Sequence, residues 1–133
     1  MKLLIDTNIF LEIVLAQTRA TDAQDLLSKT EEHEFFISDY SLHSIGLLFF
    51  RRKQHDVFRR FLTDMFSIAG TKMISLLPRN MEDVINTAQK FGLDFDDAYQ
   101  YVAAEQYGLT IISFDSDFDR TEKGRKTPDH RKS

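Results

Sequence analysis

The chain has 133 residues, 42% of them hydrophobic, and carries 17 Lys+Arg against 21 Asp+Glu for a net charge of −4. That length and apolar share fit one domain with a buried core, residues 1–133, and exclude both a disordered chain and a pair of full catalytic domains. Cysteine is absent, which excludes disulfides and thiolate zinc sites and fits a cytoplasmic location.

Lys2 to Ile5 is a short apolar run that suits a buried parallel strand. Asp6, Asn8 and Glu12 interrupt the apolar stretch that follows, so it reads as mature structure rather than a signal peptide. Ile9, Phe10, Ile13 and Val14 fall at helical spacing, and Thr21-Asp22 looks like the start of a second helix with Leu26-Leu27 on its buried face. Glu34 to Ser38 reads as a second strand, followed by a helix through Leu42, Ile45, Leu48 and Phe49. Val57, Phe58, Phe61, Leu62, Met65 and Phe66 form a strong amphipathic pattern, and the phenylalanines concentrated on such faces read as core.

Met73 to Leu77 is expected as a third strand closed by Pro78. A helix through Met81, Val84, Ile85 and Ala88 ends near Gly92, and another starts around Asp94 to Asp97 and ends near Gly108. Leu109 to Ser113 is the fourth strand, with a stub of strand near Lys126-Thr127. Strands alternating with helices predict an α/β sandwich around a parallel sheet, with the active site beyond the carboxyl ends of the strands. No segment approaches the roughly 18 uninterrupted apolar residues that span a membrane.

Charge is uneven. From residue 120 the chain is a polar basic tail; residues 119–133 sum to +3 (six basic, three acidic), leaving −7 on residues 1–118. A second basic stretch holds Arg51, Arg52, Lys53, Arg59 and Arg60, candidates for contact with an anionic polymer. Each patch also reads as a solvated helix face or terminus.

Asp6 directly follows the first strand and Asp115 closely follows the fourth, so both belong at the carboxyl edge of the sheet. Asp94, Asp96 and Asp97 open a helix, where the dipole favours negative charge. Clustered carboxylates repel unless a cation joins them, and all-oxygen ligands suit Mg²⁺ or Mn²⁺, an arrangement able to assist phosphodiester hydrolysis. Asp6 also suits a cap of the helix after it, as do Asp94 and Asp97. Asp115-x-Asp117-x-Asp119 is not a calcium loop, because Arg120 stands where that loop requires glycine. A haloacid-dehalogenase phosphatase needs an acid where Asn8 stands, and a receiver domain needs an acidic pair that is missing.

Leu3 to Asn8 (LLIDTN), Phe35 to Ser38 (FFIS), Asp94 to Ser113 and Phe114 to Phe118 (FDSDF) together resemble the PIN domain family, specifically its VapC-type toxin nucleases. Thr127-Pro128 is similar to the family's closing Thr-Pro. The resemblance implies a three-layer α/β/α sandwich with a mainly parallel central sheet and Mg²⁺- or Mn²⁺-dependent endoribonuclease activity. It also implies homodimers and a cognate antitoxin. Asp6, Asp97 and Asp115 are similar to the family's catalytic, metal-binding carboxylates, and Asp117 to a further metal-binding acid. Thr7, Asn8 and Ser113 resemble supporting residues of the loops, and Asp96 precedes the matched Asp97.

One departure stands out. The family's glutamate on the helix after the second strand falls at Ser44, flanked by His43 and Ile45. The site is therefore one carboxylate short. This leaves two expectations: a ribonuclease toxin in which Ser44 positions water, or a weakened module that binds RNA or a protein without cutting.

Overall fold

The computed structural model describes residues 1–129. Four strands, β1 (Lys2–Ile5), β2 (Glu34–Ser38), β3 (Lys72–Ile74) and β4 (Thr110–Ile112), form one sheet in the order β3-β2-β1-β4. Every pairing is parallel; Leu4 sits opposite both Phe36 of β2 and Ile111 of β4. Six helices connect them: α1 (Thr7–Val14), α2 (Ala20–Ser28), α3 (Asp39–Arg51), α4 (His55–Leu62), α5 (Met81–Phe91) and α6 (Phe95–Tyr107).

Period-two alternation sends successive strand residues to opposite faces. Leu4, Ile74 and Ile111 pack with Val84, Leu93, Ala98, Val102 and Phe118 under α5 and α6. Leu3, Ile5, Phe35, Ile37 and Ile112 pack with Ile9, Phe10, Leu26, Ile45, Phe49 and Phe61 under α1 to α4. Two apolar faces on one sheet make the three-layer α/β/α sandwich expected, and explain why these strands read as continuous apolar runs.

The differences from expectation have local causes. β3 stops at Ile74 because its partner β2 ends at Ser38, where α3 begins. Leu76 still enters the core, but its N–H is taken by the Tyr99 hydroxyl at 2.9 Å rather than by a strand. β4 is shortened in the same way. Leu109 N–H donates to Ala104 O at 2.8 Å, closing α6 around Gly108 at φ +67°. The expected stub at Lys126 is an isolated parallel bridge to Ile112. The amphipathic run after Val57 is α4 continuing into a π-helical turn, Thr63–Ile68. Not every phenylalanine is core: Phe50 and Phe95 are each 59% exposed.

The chain moves from β1 to β2 and β3 on one side, then crosses to β4 on the other. The connections therefore diverge between β1 and β4, which opens a crevice at the carboxyl ends of those two strands. Among the described residues no helix is long and apolar enough to cross a membrane.

Candidate active site

Asp6, Thr7, Asn8, Leu11, Tyr40, Asp96, Asp97 and Asp115 line a cleft at that crevice. Four elements supply them. Asp6 ends β1 and caps α1, its Oδ1 accepting from Thr7 N–H at 2.9 Å. Tyr40 lies in the first turn of α3, whose start is fixed by Ser38 Oγ accepting from Ser41 N–H at 3.1 Å. Asp96 and Asp97 open α6, and Asp115 caps the 3₁₀ turn Ser116–Arg120 after β4. Asp94 occupies the N-cap position of α6 without a side-chain capping bond.

The tightest group of carboxylates is Asp97, Asp115 and Asp117, which offer one oxygen each within 4.8 Å of one another. Asp117 is held there by its own N–H, which donates to Asp115 Oδ1 at 2.8 Å, and by the buried Phe118 beside it. Asp97 is 7% exposed. Burial and then the negative charge of Asp115, followed by that of Asp96, push its carboxyl up to about 8, and it hydrogen-bonds Asp115. A cation placed beside Asp97 would offset the repulsion that these neighbouring carboxylates exert on it.

Asp6 lines the same cleft as Asp97 and Asp115, and its charge acts on both of them. Its Oδ1 also accepts from Gln100 Nε2 at 2.9 Å, and its Oδ2 accepts from Ser113 Oγ at 2.7 Å and Asn8 Nδ2 at 3.4 Å. Burial pushes Asp6 above the usual carboxylate range, and the donors from Gln100, Ser113 and Thr7 oppose that rise. Asn8 ties the two strand ends together: its Nδ2 donates to Ser113 Oγ at 3.1 Å and its Oδ1 accepts from Phe114 N–H at 3.1 Å. Thr7 Oγ1 donates to Ser41 Oγ at 2.8 Å, joining α1 to α3.

Ser44 is half-buried one turn along α3 from Tyr40 and hydrogen-bonds the Tyr40 hydroxyl. That hydroxyl also donates to Asp96 Oδ2 at 3.3 Å. Burial raises the Tyr40 hydroxyl above its ordinary value, so it remains a donor at neutral pH. His43 is exposed and borders an apolar groove with Leu42, Gly46, Leu47, Phe50 and Phe58, away from the acids.

The basic residues are not in the cleft. Arg51 ends α3, a helix of 13 residues, so Arg51, Arg52 and Lys53 lie about 20 Å along its axis from the site. Arg59 pairs with Asp56, and Arg60 borders a second apolar groove with Phe10 and Phe61. In the tail, Arg120 pairs with Asp117, and Arg125 with Asp119 while donating to Ser113 O at 3.0 Å. Arg131 and Lys132 lie outside the described residues. Sequence reasoning missed Tyr40, Ser41 and Gln100; the only signal for Gln100 is an amide inside the buried face of α6.

The PIN domain family model matches residues 3–124. None of the curated proteins matches the chain. Among solved structures, a toxin-antitoxin complex from Klebsiella pneumoniae is 21% identical, with 95% of this chain and 97% of that one covered and a TM-score of 0.72. VapC20 of Mycobacterium tuberculosis, described as a sarcin-ricin loop cleaving toxin, is 17% identical over 88% and 92% of the two chains, with a TM-score of 0.71. VapBC2 from Rickettsia felis, bound to a DNA fragment from its promoter, is 13% identical over 96% and 98%, with a TM-score of 0.74. At these identities the likeness is one of fold.

Proposed function

The chain belongs to the PIN domain family, and on that footing we propose that it is a divalent-metal-dependent endoribonuclease and the toxin of a toxin-antitoxin pair. The observation that carries the reading is the convergence of Asp97, Asp115 and Asp117 within 4.8 Å at the crevice. Their donor set is entirely oxygen, which fits Mg²⁺ or Mn²⁺. Such an ion would supply Lewis-acid polarisation of a phosphoryl oxygen and acidify water beside it. The structural neighbours named for toxin-antitoxin complexes and for RNA cleavage support the class.

The chain's own groups have distinct tasks in this reading. Asp97, whose carboxyl is raised by burial and by the charge of Asp115, would give up its proton when the cation arrives. Asn8 and Ser113 lock the ends of β1 and β4 so that the crevice keeps its width. Asp6 joins Asp97 and Asp115 as a metal-holding carboxylate of the cleft, and Asp96, oriented by the Tyr40 hydroxyl, supports them as a group able to take a proton from attacking water. Arg51, Arg52, Lys53, Arg59 and Arg60 hold RNA backbone distant from the cut, so a folded or long RNA suits the protein better than a dinucleotide. The antitoxin is assigned to the apolar groove of α3 and α4, where Leu47, Phe50 and Val57 are exposed. A homodimer in the cytoplasm completes the proposal.

Ser44 favours a second reading, a PIN module that binds RNA or protein without cutting. The experiment is cleavage of single-stranded and structured RNAs in Mg²⁺ or Mn²⁺, against chelator, Asp97→Asn and Ser44→Glu. Metal-dependent cutting lost in Asp97→Asn supports the nuclease. No cutting by the native chain, with cutting gained in Ser44→Glu, supports the module.

A further inference from the structure

We propose that Arg19 is a positioning residue at the rim of the cleft, its guanidinium taking an RNA backbone phosphate that neighbours the one to be cut. The inference rests on the ribonuclease reading above and names how an anionic strand is held against an acidic wall.

Asp6, Asp96, Asp97 and Asp115 line the cleft, so a strand of phosphates is repelled there unless a cationic side chain stands close by. Arg51, Arg52 and Lys53 lie too far along α3 to serve the nucleotides at the cut. Arg120 and Arg125 answer Asp117 and Asp119. Arg19 reaches the rim from the α1 side. Asn8, Leu11 and Glu12 fall at i, i+3 and i+4 on one face of α1. Asn8 and Leu11 line the cleft, and Glu12 pairs with Arg19 Nε at 3.3 Å. Phe114 arrives from β4, directly before Asp115, with its N–H donating to Asn8 Oδ1 at 3.1 Å. The Arg19 guanidinium lies over that ring, its Cζ 3.7 Å from the ring centre.

The way Arg19 is held leaves its outer edge open. An arginine fork commonly closes on a carboxylate with two parallel bonds. Here only Nε meets Glu12 Oε1, and Glu12 Oε2 is buried with no hydrogen-bond partner among the described residues. The Glu12 side chain is 5% exposed and the Arg19 side chain 53%. An unmet buried carboxylate oxygen is unfavourable, and bidentate closure would relieve it. The stack on Phe114 holds the guanidinium plane out of that closure. A planar cation with one face covered and one nitrogen anchored keeps its remaining N–H groups for the two oxygens of a phosphate, with little rotamer freedom left to lose.

The test is binding of a fluorescein-labelled single-stranded RNA of mixed sequence to the full chain, read by anisotropy in chelator, so that the strand stays intact, over a range of salt. Arg19→Gln should weaken binding about tenfold and lower the slope of log affinity against log salt by about 0.7, one phosphate contact on a single strand. The glutamine amide can still donate to Glu12, and urea denaturation checks the fold. Arg19→Lys should keep the slope and lose about threefold in affinity, because an ammonium keeps the charge without the fork. Phe114→Leu frees the guanidinium plane and should weaken binding by about threefold as well. Mn²⁺ affinity should move by less than about threefold in all three variants, through long-range charge alone. A merely structural Arg19 would shift the denaturation midpoint and leave the salt slope alone. The inference is overturned if Arg19→Gln folds and binds RNA with native affinity and slope. If Arg19→Gln does not fold, Phe114→Leu decides, and native affinity there overturns it. A native chain that binds RNA neither in chelator nor in Mn²⁺ overturns the ribonuclease reading itself, a result distinct from a silent Arg19.

Discussion

The raised carboxyl of Asp97 predicts a steep pH dependence for metal binding. Burial and neighbouring charge raise the Asp97 carboxyl to about 8, so a cation that needs the ionised form must displace a proton below that pH. Each unit of pH below 8 then weakens Mn²⁺ binding by about tenfold, and binding at pH 6 is about 100-fold weaker than on the plateau above 8. The apo protein shows the converse. Its folded form binds a proton more tightly than the unfolded chain, so stability is fully present below the unfolded carboxyl value and is lost as pH rises toward 8. Saturating Mn²⁺ reverses that slope. The assay is titration calorimetry with Mn²⁺ from pH 5.5 to 8.5 in buffers of different ionisation enthalpy, which counts protons released. About one proton per ion at pH 6.5 is expected. An affinity flat between pH 6 and 8, with no proton release, refutes the reasoning.

Four other outcomes follow from the geometry. Ser44→Glu should restore the missing carboxylate beside Tyr40, strengthening Mn²⁺ binding and raising any cleavage rate; an unchanged dissociation constant counts against the site's placement. Phe118→Ala removes a fully buried ring beneath the turn carrying Asp115 and Asp117, and should cost about 3–5 kcal/mol in urea denaturation. Tyr99→Phe leaves the buried Leu76 N–H and Asp39 without their hydroxyl partner, and should cost about 1–3 kcal/mol by the same measurement. Replacing Arg51, Arg52 and Lys53 with glutamine should reduce the salt dependence of RNA binding by about two logarithmic units per decade, with metal affinity unchanged.

The strands and the acids at their ends were legible because burial on both faces forces apolar runs, and the residue after such a run must lie at the sheet edge. Asp6 and Asp115 are visible on that ground alone, and Asp97 through the helix start it shares with Asp96. The extent of β3 was not legible, since Met73 to Leu77 is apolar throughout and only the end of β2 at Ser38 limits the pairing. Gln100 was hidden for a similar reason. It occupies a core position of α6 at helical spacing, and its meaning comes from Asp6, 94 residues earlier. Distance along α3, not charge, separates Arg51 to Lys53 from the cleft, and a charge count carries no distances.

The claim that matters most is that the crevice holds one divalent cation. Anomalous diffraction from crystals soaked in Mn²⁺ tests it directly. A single peak about 2.1 Å from carboxylate oxygens of the crevice, those of Asp97 and Asp115 among them, is expected. A crevice with no peak at saturating Mn²⁺, or a peak bound elsewhere on the chain, would contradict it.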